Sequence, residues 1–223
     1  RQVEGANLIT FDMGGTSTDV SRFDGEFDYI YDLNVGAAQI MSPALNIETV
    51  AAGGGSICGF DGYRLFVGPE SAGADPGPAC YGSGGPLTLT DVNLLAGKLH
   101  PDNFSIPIYP DAAKKQLDAL AGEIEKTSGT RPLLPELLDG FLTIANEIMA
   151  GAIKKISVLR GYDPVHYSLV SFGGAGGLHA CSIASLLGMK KILLPEEAGL
   201  LSAFGISRAR IERFAEKLVL EPF

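Results

Sequence analysis

Hydrophobic and polar positions change rhythm several times along the chain, and each rhythm points to an element. Leu134, Leu138, Phe141, Ala145, Ile148, Ala152, Ile156 and Leu159 recur at three- and four-residue spacing. That period lays one apolar stripe along a helix and predicts a long helix from 134 to about 160. Pro135 suits its first turn, Glu136 and Asp139 lie early, and Lys154, Lys155 and Arg160 lie late, as the helix dipole favours. Gly161 and Pro164 end it. The start of the chain reads differently. Residues 7–12 and 18–23 are short apolar runs, and Asp24-Gly25 turns the chain into 26–33. There Phe27, Tyr29, Tyr31 and Leu33 alternate with Glu26, Asp28 and Asp32, the period of a half-buried strand. Three antiparallel strands are expected. Further on, a strand at 167–172, a glycine turn at 173–177, a helix to about 187 and a strand at 191–194 make an α/β unit. The opening strands and this unit are expected to share one sheet packed on the long helix.

Between these parts, residues 36–132 read as Gly/Pro-rich loops carrying one helix after Asp91 and another over 111–127. This segment is taken as an insertion in a single α/β domain spanning 1–223, with its core at 1–35 and 133–213: a mixed sheet, flanking helices and a Gly/Pro-rich insertion. With 223 residues and 46% hydrophobic content, the chain is long enough for a well-buried interior. The net charge of -9 argues against a nucleic-acid surface, which needs clustered Lys and Arg. No apolar run reaches the roughly 20 residues that span a bilayer, and no basic-then-apolar leader is seen. Three cysteines, Cys58, Cys80 and Cys181, form no C-x-x-C pair and fit a reducing compartment as core or loop thiols. The expectation is a cytoplasmic protein whose partners are small molecules and proteins, without nucleic acid or membrane. The chain opens on Arg1 with a motif-bearing strand close behind, as expected of part of a longer protein.

The sharpest chemical signal is Phe11-Asp12-Met13-Gly14-Gly15-Thr16-Ser17-Thr18-Asp19, a glycine turn between two strands. Gly14 and Gly15 let backbone N–H groups approach a polyphosphate with no Cβ in the way. Thr16, Ser17 and Thr18 add hydroxyl donors. Carboxylates beside phosphates would repel, so Asp12 and Asp19 make sense when Mg²⁺ with its water shell lies between them and the nucleotide. The alternative is a tight hairpin whose side chains satisfy only the turn's own backbone. No G-x-x-x-x-G-K-[ST] occurs, and Lys98 after Gly97 lacks that context.

A second glycine turn, Gly173-Gly174-Ala175-Gly176-Gly177, stands where a strand meets a helix start, so its backbone can approach an anionic or flat ligand. His179 just beyond it is a candidate ligand contact or, alternatively, a capping or packed imidazole. Gly53-Gly54-Gly55-Ser56 and 71–82 are too rich in glycine and proline for ordinary core, and neither holds the G-x-S-x-G of a nucleophile elbow. Asp75 before Pro76 suits turn initiation. His100, His166 and His179 show no zinc spacing.

Together, 11–19, Glu48-Thr49-Val50-Ala51-Ala52-Gly53-Gly54-Gly55-Ser56-Ile57, the run from Gly68 to Gly82, Thr90-Asp91-Val92-Asn93 and 172–180 resemble the hydantoinase/oxoprolinase family in order and across nearly the whole chain. The resemblance implies an actin-like ATPase (ribonuclease H-like) lobe, the second of two that close on ATP. It further implies that Asp12 to Asp19 is the second phosphate hairpin and that Gly173 to Gly177 is the adenosine-side turn. Gly177 departs from the family, where proline is usual. The first hairpin would belong to a lobe preceding this segment. The implied activity is ATP-dependent opening of a cyclic amide or lactam, with Asp12 and Asp19 as the catalytic, Mg²⁺-holding pair and a second enzyme subunit as a further partner. Two alternatives stay open: the ATP-binding segment of an acetone carboxylase-type enzyme, and a non-catalytic nucleotide-sensing or assembly module.

Overall fold

The computed structural model describes residues 7–35 and 38–209. The chain opens with β1 (Leu8–Met13) and β2 (Thr18–Phe23), an antiparallel hairpin in which Asp12 lies opposite Asp19. Two ribbons follow. β3 (Tyr29–Val35) pairs with β4 (Ala38–Leu45), and after β5 (Ile47–Val50) the second ribbon is β6 (Ser56–Phe60) with β7 (Leu65–Ser71). The helices α1 (Leu89–Leu95), α2 (Pro110–Ser128) and α3 (Leu134–Ile156) come next. The chain then returns through β8 (Ser168–Phe172), α4 (Ala180–Leu186), β9 (Ile192–Leu193) and α5 (Leu201–Arg208). The main sheet has the order β5-β2-β1-β8-β9, antiparallel on the β2 side and parallel on the β8 side. This is the mixed sheet with flanking helices that the sequence led us to expect.

Strand alternation sorts the sheet into two faces. Ile9, Phe11 and Met13 of β1, Val20 of β2 and Leu169 of β8 are buried in one core cluster with Phe141, Ala145, Met149 and Ile153 of α3. The opposite face carries Thr10, Asp12, Asp19 and Ser21, and the hydroxyls of Thr10 and Ser21 meet at 2.6 Å. Chemistry is thus presented on one face and held in place by the other.

Helix α3 ends at Ile156, where the Ser157 hydroxyl donates to the Ile153 carbonyl. The chain leaves through a short 3-10 turn closed by Gly161 at φ 85°. Leu159, assigned to the stripe, is therefore outside the helix and 76% exposed. Leu134, Leu138 and Ile148 are only partly buried, whereas Leu137, Leu142, Met149 and Ile153 are buried. The helix touches β2, β5, β7, α1 and α4, so it is covered on more than one side and no single stripe describes it.

The expectation of three consecutive strands in one sheet needs correction. Of those three, only β1 and β2 belong to the main sheet; β2 touches the next segment through a Phe23–Phe27 bridge, and β3 departs into its ribbon with β4. The place beside β2 is taken by β5. The corner is fixed by the almost buried Arg22, ion-paired with Asp24 and Asp28 and lying 3.6 Å from the Tyr162 ring centroid, and by Asn46, whose side chain donates to Asp28 at 2.8 Å. Alternation in 26–33 reveals a strand but not its partner.

Four strands arise within the segment 36–132 that reads as loops. The core cluster draws Ala52, Val67, Leu89, Val92 and Leu117 from this same segment. Helix α1 starts at Leu89 rather than after Asp91: Thr88 is its N-cap, and Asp91 folds back to accept from the Thr88 amide at 2.8 Å.

Candidate functional site

At the hairpin tip the Gly14 amide donates to the Ser17 carbonyl at 3.0 Å. The third glycine run then packs beneath it. Gly54 N–H donates to the Gly14 carbonyl at 3.0 Å and Gly55 N–H to the Gly15 carbonyl at 2.6 Å, while the Thr18 hydroxyl donates to the Ala52 carbonyl at 2.6 Å. A Cβ on Gly53 would stand 2.6 Å from the Thr16 nitrogen and 2.7 Å from the Ser17 nitrogen, so only glycine allows this approach. The carbonyls of Gly14, Gly15 and Ser17 are thus engaged from within the protein. Among the described residues, no acceptor meets the amides of Gly15, Thr16 and Ser17, and no partner meets the hydroxyls of Thr16 and Ser17. Three successive amides left open beside occupied carbonyls attract anions.

The second glycine turn meets the first. Ala175 N–H donates to the Met13 carbonyl at 3.0 Å, and Gly173, at φ 79°, lies so close that a Cβ would strike that carbonyl and stand 2.5 Å from Asp12 Oδ1. Gly173 N–H in turn donates to the Ala198 carbonyl at 3.0 Å. A cavity of about 230 Å³ lies between the turns, with Gly14, Gly15, Gly54, Thr90, Gly174 and Ala175 on its polar side. Tyr81, Leu99, Phe104 and Leu178 supply an apolar wall. Gly176 is buried where a Cβ would stand 2.8 Å from the Ser171 hydroxyl, so it serves close packing; Gly177 faces open space and lines no part of this cavity.

Asp12 and Asp19 are cross-strand neighbours. Asp12 Oδ2 accepts from the Ser202 hydroxyl at 2.7 Å, and Asp19 Oδ1 from the Thr49 hydroxyl at 2.5 Å. Like charges directly opposite in a ladder destabilise it. A hard cation held through water would offset that repulsion, and the carboxylate and hydroxyl oxygens here are the donor type that Mg²⁺ takes. Among the described residues no group of three or more His, Cys, Asp or Glu is gathered to hold a metal directly.

His179 is completely buried and its ring bridges two helices: Nδ1 lies 2.8 Å from Asn146 Oδ1 on α3, and Nε2 lies 3.1 Å from Asn93 Nδ2 on α1. The Asn93 amide nitrogen also donates to the Leu89 carbonyl. A neutral imidazole carrying its proton on Nδ1 satisfies both contacts. Burial, with a smaller contribution from nearby Lys98, pushes its pKa down to about 4. Neither nitrogen is left for a ligand, so the geometry matches the packed-imidazole alternative. Lys98 itself reaches the Leu178 carbonyl at 3.3 Å, placing a cation beside the cavity's apolar wall.

Sequence reasoning left several of these residues without a role. Gly53, Gly54 and Gly55 had a signal, three glycines in a row, but no target. Thr90, which binds the Gly54 carbonyl through both its amide and its hydroxyl at 2.8 Å, and Tyr81 stood only within longer motifs of the family resemblance, and the wall residues Leu99 and Phe104 had no signal.

Comparison with known proteins shows the family and the fold. The sequence profile of the Hydantoinase/oxoprolinase family matches residues 1–214. The chain is 47% identical over 213 residues to the 5-oxoprolinase PfmaA of Pestalotiopsis fici, a match covering 92% of this chain and 17% of that protein. It superposes on the ATP-dependent caprolactamase from Pseudomonas jessenii with a TM-score of 0.79 and 38% identity over 91% of this chain and 29% of that one. A nucleotide-free acetone carboxylase gives the same TM-score at 27% identity, again covering 91% of this chain and 29% of the other. The chain thus spans less than a third of each protein it resembles.

Proposed function

Since the chain belongs to the hydantoinase/oxoprolinase family, with an actin-like α/β fold, we propose that it is the nucleotide-binding lobe of an ATP-dependent enzyme that opens cyclic amides. The observation that carries this reading is the hairpin tip, where Gly54 and Gly55 engage the Gly14 and Gly15 carbonyls while the amides of Gly15, Thr16 and Ser17 remain open. In this reading the amides of Gly15, Thr16 and Ser17 and the hydroxyls of Thr16 and Ser17 hold the phosphates, with Gly14 lining the cavity beside them. Thr18 fastens the tip to Ala52. Gly173, Gly174 and Ala175 approach the nucleoside side, Gly176 and Gly177 shape that turn, and His179 positions it from beneath. Asp12 and Asp19 would hold Mg²⁺ through water, and the ion would supply charge neutralisation for phosphate oxygens.

An unstrained amide carbonyl is a poor electrophile. Transfer of the γ-phosphoryl group to the amide oxygen, with ADP leaving, makes the carbon attackable. Water adds there, the ring nitrogen departs with a proton, and a second water releases phosphate from the acyl phosphate. Aligned donors contribute by positioning and charge stabilisation. The opposite hairpin would come from a preceding lobe and the ring-opening partner from another subunit. The caprolactamase's higher identity, compared with the acetone carboxylase, favours amide opening over carboxylation. No helix among the described residues is long and apolar enough to cross a membrane.

The test is phosphate release and product formation by the full-length protein with Mg-ATP and, separately, a hydantoin, 5-oxoproline, caprolactam or acetone with bicarbonate. ATP-coupled ring opening is expected. Coupled carboxylation, or nucleotide binding without turnover, would replace this reading.

A further inference from the structure

Beside the hairpin cavity lies a second cleft of about 310 Å³. The two share Tyr81 as a common wall. Two other cavities, one between α3 and α4 and one beside Cys58, share no lining residue with the hairpin cavity. The second cleft is lined by Pro76, Ile106, Pro107 and the rings of Tyr81 and Tyr109, with Ser83 as a polar contributor and no charged side chain. Resting on the nucleotide reading above, we propose that this cleft is the slot for the cyclic-amide ring, placed next to the phosphates so that its carbonyl oxygen reaches the hairpin cavity past Tyr81.

The cleft is built rather than incidental. Tyr81 lies against Gly77, where a Cβ would be 3.0 Å from its ring, and Tyr109 lies against Gly82, where a Cβ would be 2.7 Å from its ring. Both glycines have positive φ, 72° and 81°. The two walls are joined through Cys80, whose carbonyl accepts from Tyr109 N–H at 2.8 Å. Cys80 N–H donates to the fully buried Asp91 carboxylate at 2.7 Å, and the same carboxylate accepts from Ala79 N–H at 3.1 Å and from the Thr88 hydroxyl at 2.9 Å. A buried carboxylate survives only when its lone pairs are met, and here meeting them fixes the turn that carries Tyr81. Thr90, one residue before Asp91, lines the hairpin cavity, so a single short helix start organises both spaces. Flat proline and tyrosine faces, with hydroxyl-bearing Ser83, Tyr81 and Tyr109 in the lining, suit a small planar ring recognised by shape and stacking. With no charge in its lining, the cleft recognises the ring itself rather than a carboxylate attached to it.

The experiment is steady-state kinetics of the full-length enzyme carrying Tyr109→Ala, Tyr109→Phe or Ile106→Ser, with caprolactam and 5-oxoproline as probes. Tyr109 is 51% exposed and Ile106 is 44% exposed, so two independent positions can be altered at the surface. In Tyr109→Ala the KM for the ring is expected to rise about tenfold, with the KM for Mg-ATP rising at least several-fold less. Ile106→Ser should move in the same direction, and Tyr109→Phe should stay within about twofold of the parent because the ring face matters. Equal rises in both KM values, or an unchanged KM for the ring in both Tyr109→Ala and Ile106→Ser, would overturn the slot. A parent enzyme that hydrolyses ATP but opens no ring would instead defeat the functional reading, before any substitution is made.

Discussion

The hairpin tip and the His179 node were both marked by their sequence, yet they are opposites in structure. At the tip, Gly15, Thr16 and Ser17 keep their amides unengaged while neighbouring carbonyls are taken up by Gly54 and Gly55. At the node, a completely buried imidazole has each nitrogen met by an asparagine. Binding capacity lies where hydrogen-bonding groups remain unsatisfied and rigidly held; a polar group already satisfied contributes position instead. Residue type alone does not separate the two cases, because Thr18, in the same motif as Thr16, is buried and spends its hydroxyl on Ala52.

The comparison breaks hardest at the carboxylates. Asp12→Ala or Asp19→Ala in the full-length protein is expected to lower ATP turnover by about a hundredfold or more. The melting temperature should change little, since removing one of two facing charges also relieves repulsion. Phosphate release beside a thermal melt checks this; intact turnover would mean that the pair serves only the turn.

The His179 node should respond through stability. Its pKa falls from 6.5 to about 4 in the fold, so between those values the unfolded chain binds a proton that the native chain does not. The contribution is complete above pH 6.5 and lost as pH falls toward 4, by about 3 kcal/mol. Denaturant unfolding across pH 4 to 7 should show this slope, and His179→Gln should remove its share. A slope unchanged by that substitution would show that the imidazole does not titrate as a buried neutral group.

A smaller effect is expected from Gly53→Ala. Its Cβ must displace backbone at Thr16 and Ser17, so the affinity for Mg-ATP should fall about tenfold, read by calorimetry. Unchanged affinity would mean that the run Gly53 to Gly55 does not set the tip's shape.

Much of this architecture was legible because it is local. The β1–β2 hairpin, α2, α3 and the strand–turn–helix at β8 follow from period, turn residues and caps, and the two glycine turns stand out in the sequence, whereas the hydrogen bond from Ala175 to Met13 that joins them does not. What escaped depends on pairing at a distance. The exchange of β3 for β5 beside β2 is decided by the corner around Arg22, Asp28 and Asn46, residues drawn from separate parts of the chain. The strands of 36–132 are hidden by the glycines and prolines around them, which composition assigns to loops. The role of Gly53 to Gly55 appears only once the hairpin is seen resting on them.

The most direct measurement is hydrogen–deuterium exchange of the full-length protein with and without a non-hydrolysable Mg-ATP analogue. The amides of Gly15, Thr16 and Ser17 have no acceptor in the described structure, so they should exchange rapidly in the free protein and become protected when phosphate binds. The peptide carrying His179 and α4 should change little. Protection confined to other parts of the protein, with 15–17 exchanging equally fast in both states, would contradict the claim that this hairpin holds the nucleotide's phosphates.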